Sequence, residues 1–104
     1  MTARLPNTVK VNGRAVFLRP RSAKQMPDAY GLWYEDKNRI DYRTRLDRPV
    51  LRDTILHELM HSIRSLQGRE NGGEVEEDYV RSLATGLIGV LDDNPELAQW
   101  LIQK

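Results

Sequence analysis

Two histidines and the glutamate between them carry the most specific chemistry in this sequence. They stand in the run His57-Glu58-Leu59-Met60-His61, and the chain has no other histidine. On a helix, residues four apart share a face with Cβ atoms about 5–6 Å apart, close enough for both imidazoles to hold one zinc ion. Glu58 would then be the general base acting on a metal-bound water. The competing reading is two polar side chains on the solvated side of an amphipathic helix.

The elements that must position these residues follow from pattern. Proline at 49 suits a first helical turn and Gly68 suits a C′ position, so a helix is expected from about residue 48 to 67. At 100° per residue, Ile55, Leu59 and Leu66 lie about 160–200° from His57, with Leu56, Met60 and Ile63 widening that apolar arc. Val50 and Arg64 share the histidine side. Ahead of this helix, residues 9–18 read as a β-hairpin turning at Asn12-Gly13, with Val11 facing Arg14 and Val9 facing Val16. Residues 19–28, with Pro20 and Pro27, read as a loop. Residues 29–34 and 39–44 read as two strands around the turn at 35–38. A small antiparallel sheet over residues 1–46 is therefore expected, followed by a mainly helical part over 47–104. The second helix is expected over about 74–91. A last short helix begins with Asn94 as N-cap and Pro95 at N1, docked by Leu97, Trp100 and Leu101.

A catalytic zinc needs a third protein ligand and an open position. Histidine is exhausted and cysteine is absent, so a third ligand from this chain is Asp or Glu. The second helix, joined to the first by a short loop, offers Glu74, Glu76, Glu77 and Asp78. Its apolar stripe runs through Tyr79, Val80, Leu83, Leu87 and Leu91. Glu76 falls within that stripe and Glu77 at its edge, where an ionised carboxylate is costly unless paired or metal-bound. The alternative is that all four acids simply favour the positive end of a helix.

The segments Thr54-Ile55-Leu56-His57-Glu58-Leu59-Met60-His61-Ser62-Ile63, Glu77-Asp78-Tyr79-Val80-Arg81-Ser82-Leu83-Ala84-Thr85-Gly86-Leu87 and Asp93-Asn94-Pro95-Glu96 together resemble a family. It is the small zincin-like metallopeptidases encoded by phages and prophages, similar in pattern to gluzincins. The resemblance covers most of residues 30–97 and departs at Ser62, where the family commonly has alanine. It implies an α+β minimal zincin-like domain, with a small antiparallel sheet packed on the motif helix and a second, Glu-bearing helix. It further implies Zn²⁺ held by His57, His61 and Glu77, with Glu76 as the alternative third ligand, and Glu58 as catalytic base. The reaction would be peptide-bond hydrolysis on a peptide or protein substrate, with a phage or host protein as a further partner. The second reading is a zinc-binding phage scaffold or regulator without turnover.

The oxyanion of such a reaction needs a donor, and Tyr30, Tyr34, Tyr42 and Tyr79 are available. An exposed strand in 29–44 could hold an extended peptide by β-augmentation. Bulk composition sets the frame. With 104 residues, 39% hydrophobic and 30% charged, a single domain spanning 1–104 is expected, with little room for a deep cleft. Net charge is +1 and pI about 8.1, which argues against nucleic acid as the main partner. Twelve of the sixteen basic residues are arginine, with Arg39, Arg43, Arg45, Arg48 and Arg52 close in sequence, but acids are interspersed. The first residues lack the apolar run of a signal peptide and no segment is long enough to span a bilayer, so a cytoplasmic protein, host cytoplasm if phage-encoded, is expected.

Overall fold

Asn12 and Gly13 both adopt positive φ, 53° and 78°, as a two-residue type I′ turn requires. They join strand β1 (Thr8–Val11) to β2 (Arg14–Arg21), with Val11 opposite Arg14 and Val9 opposite Val16. That is the register expected from the sequence. A second hairpin pairs β3 (Gly31–Tyr34) with β4 (Arg39–Arg43) through a 3-10 turn at Glu35–Lys37. Helices α1 (Arg48–Leu66), α2 (Glu76–Asp93) and α3 (Pro95–Ile102) follow. The computed structural model describes residues 3–68 and 76–103 and, for residues 76–81 and 84, the backbone alone.

The architecture is α+β, with a four-stranded sheet ordered β1-β2-β4-β3. The expectation of an antiparallel sheet is corrected at its centre, where β2 and β4 run parallel. The 22–30 loop passes over the strand position beside β2 and drops into β3 at the edge. The short turn then returns β4 upward through the vacant position, so the sheet is mixed. A second correction concerns residues 19–21, which extend β2 and are not loop. Pro20 is tolerated there because its nitrogen points toward β1, which has already ended. The Leu18 N–H points the same way and donates to the Asn7 carbonyl, whereas the Phe17 N–H faces β4 and donates to the Asn38 carbonyl.

One face of the sheet builds the core. Val9, Val11, Val16, Leu18 and Ile40 are buried against Ile55, Leu59 and Ile63 of α1, Val90 of α2, and Leu97 and Trp100 of α3. Period-2 strands and a period-3.6 helix thus meet along the apolar faces that the sequence predicts. Met60 departs from the expected arc and stays exposed. Among the described residues, no helix is long and apolar enough to cross a membrane.

Long-range polar ties lock the helices to the sheet. Asn94 stands at the N-cap of α3, as expected, but its side chain makes no cap bond. Its amide instead pairs with both backbone groups of Lys10, at 3.0 and 2.9 Å, and donates to the Val90 carbonyl at 2.8 Å. It thereby acts as a surrogate strand residue on the edge of β1 and also closes the end of α2. The Arg48 guanidinium donates to the Trp100 and Gln103 carbonyls and lies 5.2 Å from the Trp100 ring centre, tying the start of α1 to the end of α3. Asn94→Ala removes three hydrogen bonds at once and strands the Lys10 edge. The expected loss is about 1–3 kcal/mol, read as a lower midpoint in urea unfolding with an unchanged slope.

Candidate metal centre

Helix α1 presents the motif as its phase demands. Ile55, Leu59 and Ile63 point into the core, while His57 and His61 are exposed on the other side. Arg64, on the histidine side one turn beyond His61, is buried, so that end of the face is covered.

The two imidazoles converge. Their Nε2 atoms are 3.2 Å apart, with ring centres 4.8 Å apart and planes inclined at 77°. Two protonated Nε2 atoms cannot face each other at that distance, so at least one presents a lone pair. Nitrogens each about 2.0–2.1 Å from one tetrahedral zinc would be about 3.3–3.4 Å apart. The observed spacing fits two nitrogens directed at a common cation, and also one imidazole N–H donating to the other. Among the described residues, no third His, Cys, Asp or Glu joins them to form a metal-ligating group. The side chains of Glu76, Glu77 and Asp78, and all of Glu74, lie outside the described residues, as does the Tyr79 side chain.

Glu58 differs from the two histidines in being buried, with only 7% of its surface exposed. Desolvation pushes its carboxyl above the usual carboxylate range, and the nearby His57 and His61 pull it partly back. What buries it is the edge strand. Gly31 of β3 lies so close over α1 that a Cβ there would sit 2.7 Å from Thr54 Cγ2, 3.0 Å from Glu58 Cγ and 3.3 Å from Glu58 Oε2. Thr54 is held in place by its hydroxyl, which donates to the Val50 carbonyl at 2.8 Å. Sequence reasoning missed Gly31. The available signal was a glycine within a strand pattern, which often marks close backbone approach.

Beside Glu58 runs a surface groove of about 350 Å³, lined by Tyr30, Gly31, Val50, Asp53, Thr54, His57 and Glu58. Of the three tyrosines whose side chains are described, Tyr30 is the one lining this groove. Tyr34 lies toward the far end of β3, with Lys37 and Arg39 over its ring. Tyr42 packs against the core, where burial raises its phenol.

Gly31→Ala is expected to force β3 away from α1, costing about 1–3 kcal/mol by overpacking and loosening the cover over Glu58. Zinc titration should be unchanged because the converging imidazoles both belong to α1, while any hydrolysis falls. A melt identical to wild type would show that the close approach is not needed. Compared with known family models, curated proteins and solved structures, the chain shows no match, so its functional reading rests on this geometry.

Proposed function

We propose that this protein is a zincin-type, zinc-dependent peptidase in which His57 and His61 hold the metal and Glu58 is the general base. The observation that carries the reading is the Nε2 pair 3.2 Å apart, with a buried carboxyl on the intervening residue. Glu77, or Glu76 as the alternative, remains the proposed third ligand. A bound zinc ion would supply Lewis acidity and lower the pKa of a coordinated water toward about 7.

The chain's own residues would do the remaining work. Glu58 takes a proton from the attacking water and returns it to the leaving amine nitrogen. Its cover by β3 limits the water around the carboxyl and keeps it a competent base. A developing oxyanion needs a donor, and Tyr30, which lines the groove with its ring 5.0 Å from the Arg43 guanidinium, is a candidate for that role. Substrate would align on β3. The Tyr30 carbonyl accepts from the Arg43 N–H on the β4 side, so by strand alternation the backbone groups of Gly31 and Trp33 point outward from the sheet edge. An extended peptide could pair with them beside the groove.

The test is digestion of a mixed peptide library by zinc-loaded protein, with Glu58→Gln as control. Cleavage that disappears in the variant supports the reading. One equivalent of bound zinc without cleavage would transfer the site to the alternative, a zinc-binding protein without turnover.

A further inference from the structure

Among the described residues, no helix covers one face of the sheet, and that face sorts the charges of the chain. Along β2 the outward positions are Phe17, Arg19 and Arg21. On β4 they are Arg39, Asp41 and Arg43, and β1 adds Lys10. Five cations thus share this face with one carboxylate, a net of four positive charges where the whole chain carries +1. Asp41 is buried beneath Arg21 and Arg39, which bond it at 3.1 and 2.8 Å and are thereby fixed in direction. Arg43 holds the 22–30 loop by donating to the Met26 and Pro27 carbonyls. The rest of the face is open. Lys10 and Arg19 are exposed, and Phe17 and Leu32 keep 42% and 41% of their surface. Rings alternate with cations across the strands. Phe17 lies opposite Arg39, and Arg39 lies opposite Tyr34, with its guanidinium 4.9 Å from the Tyr34 ring centre.

We propose that this face binds single-stranded nucleic acid, independently of the metal site. Arg19 and Arg21 project two residues apart on one strand, a repeat of about 6.6–6.8 Å, which suits successive phosphates of an extended strand. Phe17, in line with them, offers a ring on which a base can stack without regard to sequence. A duplex fits less well, because nothing on this flat face protrudes to enter a groove. A membrane fits less well too, because Phe17 and Leu32 lie within the sheet and not on a loop or helix that could insert. An acidic peptide would satisfy the cations but would make no use of the rings. Net charge hides this surface, because it averages the cationic face with acids placed elsewhere.

The experiment is fluorescence anisotropy of a short labelled oligothymidylate strand against the full chain, across a salt series, with and without chelator. Saturable binding is expected, with a slope of log affinity against log salt of about −2 for three phosphate contacts. Lys10→Gln with Arg19→Gln should shrink that slope by about 1.4, and Phe17→Ala should weaken binding about tenfold. Both variants sit on exposed positions, and circular dichroism checks that they fold. Four results would overturn the proposal: no binding at low salt, equal or tighter binding of a matched duplex, polyglutamate or phosphatidylserine vesicles, indifference to both variants, or loss of binding on chelation. The last would assign the contact to the metal site.

Discussion

Replacing His57 with alanine should abolish stoichiometric zinc binding while leaving the fold intact. The two parts of that expectation come from different observations. His57 is exposed and contributes nothing to the core formed by Ile55, Leu59 and Ile63, so stability should move by no more than about 0.5 kcal/mol. In the proposed site, metal binding would depend on the convergence of two nitrogens from adjacent turns, and a single imidazole on an exposed helix face has no such chelate. Loss of an outer-shell partner alone weakens metal sites by about 10–100-fold, so loss of a ligand should weaken this one by at least about 100-fold. His61→Ala should behave alike, because the geometry is symmetric in the pair. Competition with a chromophoric chelator measures the affinity, and a thermal melt controls for folding. Wild-type affinity in either variant would mean that the zinc is held elsewhere.

Glu58→Gln should separate binding from chemistry. Glutamine keeps the size and the place beneath β3, so the contacts with Gly31 and Thr54 survive and zinc should remain bound. It cannot take a proton, and general-base catalysis contributes about 10²–10⁴-fold, so hydrolysis should fall by that factor. Stability should not fall. Burial holds the Glu58 carboxyl above its usual range, which means that the fold disfavours its ionised form. At neutral pH a neutral amide removes that penalty, and the metal-free variant should melt no lower than the wild type. Undiminished hydrolysis would remove Glu58 from the mechanism. A drop in melting temperature would show that the ionised carboxylate makes a stabilising contact in the folded protein.

Much of this was legible in the sequence where the signal is local. The Asn12-Gly13 turn sets the register of β1 and β2 because those two residues accept positive φ, and the alternation of Val9, Val11 and Val16 admits one pairing. The placement of His57 and His61 opposite Leu59 follows from helical phase alone. The parallel pairing of β2 with β4 was not legible, because strand order depends on where a loop lands and not on any local pattern. Nor was the role of Asn94, whose residue type signals an N-cap while its side chain is recruited by Lys10, 84 positions away in sequence. Gly31 shows the same limit at the site. Its neighbours Thr54 and Glu58 are fixed by tertiary approach, so the need for a missing Cβ emerges only once β3 lies on α1. The cationic sheet face is a further case, since counting charges along the chain says nothing of which face receives them.

His57 and His61 are proposed to hold one metal ion through converging nitrogens. That assignment is tested most directly by X-ray absorption at the zinc edge on protein loaded with one equivalent of zinc and dialysed. Zinc should be retained in a four-coordinate environment of nitrogen and oxygen, with two imidazole nitrogens at about 2.0–2.1 Å and the outer-shell pattern of histidine. Zinc lost on dialysis, or retained in an all-oxygen shell without imidazole scattering, would contradict it.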